Sequence, residues 1–177
     1  MHDVLKKLTG GDLRSKGRSD EVVPLILADP SLLPILLDGL LTSAEPVLRM
    51  RCADAFEKVT DRRPGLAQGF AEQVSELLAQ RQPKEVLWHL LQVAPRIIWP
   101  NDRLAGVLAA IDRAHRNPSS IVQVCALQAE VEMLRQMPER RASVSLRVDA
   151  ALESGVAAVR ARARKLSRLL QNSANQT

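Results

Sequence analysis

One pattern returns four times along this chain, and it limits the possible folds more than any other feature. The segments 48–56, 86–94, 122–130 and 159–167 each open on Leu or Val and carry small or apolar residues at helical spacing. Their starts stand 38, 36 and 37 residues apart. A period of this length suits one helical hairpin per repeat, and repeats of this kind bury their apolar stripes only by stacking on neighbours. Punctuation keeps the same beat. Pro46, Pro83 and Pro118 each stand two to four residues ahead of a repeat, and proline is favoured where a helix begins because its missing N–H costs nothing there. Asn117 and Asp29 each precede a proline and read as helix N-caps.

The intervening sequence supplies the other half of each hairpin. Helices are expected over 31–41, 66–79, 102–115 and 142–152, each ending near a polar or glycine-containing break. A leading helix over 20–28 caps the first hairpin. Residues 1–19 read as a polar lead-in, 20–171 as one repeat domain, and 172–177 as a frayed tail. Pro95 falls inside the second repeated helix and should end or kink it. Composition agrees with an all-α chain. Aromatic residues make up only 2 % of it, with two Trp, two Phe and no Tyr, so the core is built from Leu, Val, Ala and Ile, which favours helices over sheets.

Here the residues resemble a known family. The second helix of a HEAT repeat runs Val-Arg-x-x-Ala-Ala-x-Ala-Leu, and Leu48, Arg49, Ala53, Ala55 and Phe56 fill that pattern with conservative changes. Leu87 and Gln123 replace the arginine in the next two copies. The resemblance implies a right-handed α-solenoid of about four HEAT-like hairpins plus an N-terminal capping helix, with the second helices lining the concave side. It also implies that Arg49 ties adjacent repeats together. HEAT-like repeats serve many scaffolds, so the function implied is broad.

Between the apolar stripes a polar one runs at i, i+3, i+7. It holds Arg51, Asp54 and Lys58 in the first repeated helix and His89, Gln92 and Arg96 in the second. In the third it holds Cys125, Gln128 and Glu132, and in the fourth Arg162, Lys165 and Leu169. Stacked side by side these make a mixed-charge ribbon, readable as a solvated face or as a groove for a protein or peptide. A non-enzymatic scaffold with a protein partner is the leading expectation.

The net charge of +5 is uneven: the stretch 139–177 carries eight Lys/Arg against three acidic residues, whereas 21–138 carries twelve against fourteen. Arg160, Arg164 and Arg168 lie at i, i+4, i+8 and form one basic edge, readable as a phosphate contact for nucleic acid or as the solvated face of a terminal cap. Nucleic-acid binding is therefore the alternative. HEAT-like solenoids include DNA glycosylases that act on alkylated bases, but such enzymes need a basic, aromatic-lined cleft and a carboxylate, and Gln92 stands one turn after Trp88 here.

Other classes find little support. His2, His89 and His115 are scattered, so no metal site is expected. Neither a cofactor nor a catalytic set is expected. Residues 10–19 mix glycines, hydroxyls and basic residues and read as a flexible lead-in, or as a backbone N–H cradle for an anion. Cys52 and Cys125 lack metal spacing and read as small buried hydrophobes in a reducing compartment. No stretch approaches a membrane span and no secretory signal is visible, so a cytoplasmic protein is expected.

Overall fold

The computed structural model describes residues 2–13, 15 and 17–174, with the side chains of 173 and 174 excepted. Among these residues the chain is all-helical, with no strand. Its helices are α1 (Asp3–Leu8), α2 (Ser19–Ala28), α3 (Leu33–Thr42), α4 (Pro46–Arg62) and α5 (Ala71–Ala79). They continue with α6 (Lys84–Val93), α7 (Asn101–His115), α8 (Ser120–Met133), α9 (Arg141–Leu152) and α10 (Ala157–Ala174). None of them is long and apolar enough to cross a membrane.

Local chemistry sets most boundaries. Pro46 is the first residue of α4. Asp29 accepts from Ser31 N–H at 3.1 Å and caps the 3-10 turn that leads into α3. Asn117 does not cap α8. Its Oδ1 accepts from Ser119 N–H at 2.9 Å, shaping the turn one step earlier, and Ser119 takes the N-cap position. Pro95 has the expected effect: α6 stops at Val93 and tightens into a 3-10 turn over Ala94–Arg96. The helix expected from residue 66 begins only at Ala71. Residues Pro64–Phe70 form a 3-10 segment, and Gly65 and Gly69 explain why an α-helix does not start there. The tail expected from residue 172 is helical as far as Ala174, and 175–177 lie outside the described residues.

Each of α4, α6 and α8 packs on the next member of the row α4, α6, α8, α10, and α2 packs on the near side of α4. The partner helices α3, α7 and α9 lie against α4, α8 and α10, and α5 joins α6 to α7. One apolar core runs from α1 to α8, with Leu36, Phe56, Leu78, Leu91 and Ile111 among its buried members. A separate small core, Leu127, Val144, Val148, Ala163, Leu166 and Leu170, holds α9 and α10 to α8.

Polar side chains stitch neighbouring hairpins at a chain separation close to one period. Arg49 donates to Leu40 O at 3.0 Å and to Gln82 Oε1 at 2.7 Å, tying α3 to the turn before α6. Arg63 reaches Leu27 O, Arg113 reaches Leu78 O, and Arg103 reaches Ser75 and Glu72. Gln136 grips the extended turn after α6 twice, donating to Ile97 O at 2.7 Å and accepting from Trp99 N–H at 3.2 Å. Trp99 itself is buried, and its Nε1–H donates to Ala94 O at 2.9 Å.

The N-terminal segment departs from the sequence reading. It is not a polar lead-in throughout, because α1 buries Val4, Leu5 and Leu8 against α2, α3 and α4. These three residues form a one-sided apolar stripe on a six-residue helix, too short to stand out from its polar flanks. The described residues of the loop that follows turn backbone carbonyls toward a cation. The guanidinium of Arg51, 2 % exposed, donates to five backbone carbonyls. Nη1 bonds Leu8 O at 3.0 Å, Thr9 O at 3.2 Å and Gly10 O at 2.5 Å. Nε bonds Ser15 O at 3.0 Å and Nη2 bonds Asp12 O at 3.4 Å. Gly17, at φ +55°, lies so close that a Cβ would sit 2.6 Å from the Arg51 Cζ. Turning carbonyls inward requires left-handed backbone here, which glycine adopts without steric cost. Of the three basic residues that suggest an anion contact, Arg18 pairs with Glu21 at 2.6 Å, and Arg14 and Lys16 lie outside the described residues.

This cradle makes a direct prediction. Arg51→Leu strands buried carbonyls and should lower unfolding free energy by roughly 3 kcal/mol or more. Gly17→Ala, which meets both strain and a clash, should cost roughly 1–3 kcal/mol. Urea unfolding followed by circular dichroism measures both, and unchanged midpoints would refute the cradle.

Candidate functional site

The polar ribbon read from the sequence divides into two groups. Gln92, Arg96, Gln128 and Glu132 line one open cavity of about 410 Å³ shared by α4, α6, α8 and α10. Glu57, Asp61 and Arg162 complete its polar lining. Arg96 is fixed from α4: its Nη2 donates to Glu57 Oε1 at 2.6 Å and Asp61 Oδ1 at 3.1 Å, and its Nη1 to Glu57 O and Thr60 Oγ1. Across the cavity Arg162 Nη1 donates to Gln128 Oε1 at 2.9 Å, and Gln128 Nε2 donates to Glu132 Oε1 at 2.6 Å. Gln92 turns back onto Trp88 O at 3.3 Å.

The cavity thus holds three carboxylates and two guanidiniums, all on helices. Arg96 neutralises Glu57 at 2.6 Å with both side chains largely buried. Glu132 makes no ion pair among the described residues, and the Asp61 side chain is 69 % exposed. Fixed donors and acceptors of both signs remain open to a partner.

The other group is internal. Arg51 belongs to the N-terminal cradle and Asp54 is buried, so neither offers a surface to a partner. Asp54 Oδ2 accepts from Ser19 Oγ at 2.5 Å and from Lys58 Nζ at 2.8 Å, and Lys58 also bonds Asp20 Oδ1 at 3.0 Å. The cluster therefore fastens α2 to α4. His89 Nε2 approaches Asp54 Oδ1 at 4.0 Å from α6, and its buried Nδ1 has no hydrogen-bond partner. Ser, Asp and His meet here, but not as a nucleophile with its base. Ser19 is fully buried and donates to Asp54, so its hydroxyl does not face the imidazole. Burial pushes the His89 pKa down to about 4; Asp54 works against that shift and Lys58 with it.

Cys125 is buried, in keeping with a small hydrophobe and not with a place on the polar ribbon, and burial raises its thiol to about 11. Burial likewise pushes Cys52 up to about 12, so both thiols stay protonated. On α10, Arg160 is half-buried and donates to Ser154 O, while Arg164 and Arg168 are exposed. The basic edge is thereby reduced from three residues to two. Among the described residues no group of three or more His, Cys, Asp or Glu is placed to hold a metal ion.

Glu57 and Asp61 were missed by the sequence reading. They follow Asp54 at i+3 and i+7, so carrying the α4 stripe along from Asp54 would have found them. Compared with protein-family models, curated proteins and solved structures, the chain matches none.

The buried imidazole sets a pH dependence. An unfolded His89 takes up a proton near pH 6.5, whereas the folded one resists until about 4. Stability should therefore fall as pH drops from 6.5 toward 4, by roughly 3 kcal/mol once complete. His89→Gln should flatten that part of the profile in urea midpoints measured against pH. An equal slope in both proteins would contradict the assignment.

Proposed function

We propose that the chain is a HEAT-like α-solenoid that acts as a non-enzymatic scaffold. Its protein or peptide partner lies along the concave face, over the cavity between α4, α6, α8 and α10. One observation carries this reading: Gln92 of α6, Arg96 of the turn after it, and Gln128 and Glu132 of α8 meet around a single cavity that α4 and α10 complete. A merely solvated face would not need its polar groups held in place. Here Arg96 and Gln128 are each anchored by a neighbouring helix, which preorganises them for a partner's polar groups. Hydrogen bonds to Glu132 and Arg162 would fix the register of an extended segment, and the mixed signs would favour a partner with both donors and acceptors. The in-order packing of α4, α6, α8 and α10, with hairpins tied at about one period, supports the solenoid part of the proposal.

Affinity capture from the source cell tests it, using the wild type beside a Glu132→Lys, Arg162→Glu double variant. Both positions are only half-buried, so the variant should keep its circular dichroism melt. The proposal expects a partner retained by the wild type and lost, about tenfold or more, by the variant. A partner held equally by both would move the interface elsewhere. Micromolar, salt-sensitive binding of duplex DNA, abolished by Arg164→Glu with Arg168→Glu, would replace the scaffold with the nucleic-acid reading.

A further inference from the structure

A cavity of about 640 Å³ lies away from the polar ribbon, between the α5–α6 and α7–α8 turns. Its size suits a small molecule. Three cationic side chains line it, Arg81, Lys84 and Arg113, and no carboxylate does. This contrasts with the inner-helix cavity, where each guanidinium bonds an anionic or amide side chain.

The three cations are placed differently. Arg113 is anchored, its Nη2 donating to Leu78 O at 3.2 Å across the cavity wall. Arg81 is exposed and makes no ion pair or side-chain hydrogen bond among the described residues. Lys84, itself exposed, has a long contact at 3.7 Å with Glu85, whose side chain is largely buried. Two helices of ten and fourteen residues, α6 and α8, also begin here, and neither has a side-chain cap on its first turn. The positive end of α8 adds to the field of the cations, whereas that of α6 is offset by Glu85 in its first turn. Gln82 is buried and held by Arg49, so the wall between Arg81 and Lys84 is rigid. Leu78, Leu87 and Ala114 supply an apolar floor beside the charged rim.

We propose that this cavity binds a small phosphomonoester, its phosphate between Arg81, Lys84 and Arg113 and its organic group against Leu78, Leu87 and Ala114. A dianion matches three cations of which only Lys84 has a carboxylate near it, Glu85 at 3.7 Å, and a guanidinium fork pairs with phosphate oxygens in bidentate fashion. The apolar floor gives an ester an advantage over the free ion. The site lies on a different edge from the proposed partner cleft and does not depend on it.

Isothermal titration calorimetry of the full chain, with phenyl phosphate, inorganic phosphate and benzoate as probes, tests the proposal. Phenyl phosphate should saturate one site and bind more tightly than inorganic phosphate, with benzoate weaker than both. Arg81→Ala with Lys84→Ala should weaken phenyl phosphate about tenfold or more. Both residues are exposed, so an unchanged thermal melt confirms that the variant is folded, and Arg113→Gln provides an independent third variant. The proposal is overturned by phenyl phosphate failing to saturate in the millimolar range, by equal binding of benzoate, or by full affinity in the variants. Binding of a duplex oligonucleotide without binding of phenyl phosphate also overturns it.

Discussion

A hairpin made of Leu, Val and Ala cannot bury its own apolar stripe, and the whole structure follows from that constraint. Each of α4, α6 and α8 is covered only because another helix lies on either side of it, α2 serving as the outer neighbour of α4. Phe56, Leu90, Leu91 and Ala126 are accordingly all but inaccessible. With so few aromatic residues, burial is spread over many aliphatic contacts, each small, and it adds up along the row. The arginine and glutamine ties act on top of this. They satisfy carbonyls freed at helix ends, where an orphan acceptor would cost more than the bond gains.

The ends of such a row need a different solution from its middle. At the N-terminal side α1 and α2 cover α4, and carbonyls of the described residues Leu8 to Ser15 turn onto Arg51. A guanidinium has five N–H donors and no acceptor, so it suits a ring of carbonyls, here those of Leu8, Thr9, Gly10, Asp12 and Ser15. At the C-terminal side α9 and α10 are held by a core of their own around Leu127, and α10 leaves Arg164, Lys165 and Arg168 to solvent. The two ends are thus closed by unlike means.

Much of the helical layout could be read directly. The four-fold recurrence, the prolines and the polar breaks located nine of the helices to within a few residues, except that α5 starts late because of Gly65 and Gly69. α1 was lost because three apolar residues in a six-residue helix give no sustained periodicity. The polar ribbon was legible as a pattern but not as a surface. Spacing shows that Arg51, Asp54 and Lys58 share one face of α4, but not that α1, α2 and their loop cover it. Likewise Glu130 of α8 bonds His115 of α7 at 3.0 Å and Arg147 of α9 at 3.0 Å. No local motif marks a cluster assembled from three helices. The glycine-rich loop was legible as special backbone, yet spacing alone does not say whether its N–H groups or its carbonyls turn inward.

Stacking on both sides as the source of stability is most directly tested by native-state hydrogen exchange resolved along the chain. The account predicts that the slowest amides lie in α4, α6 and α8, which have neighbours on both sides. It predicts that α9 and α10, with their small separate core, exchange earlier as a unit. Exchange of α9 and α10 as slow as that of α4 and α6, or earliest opening in the middle of the row, would contradict it.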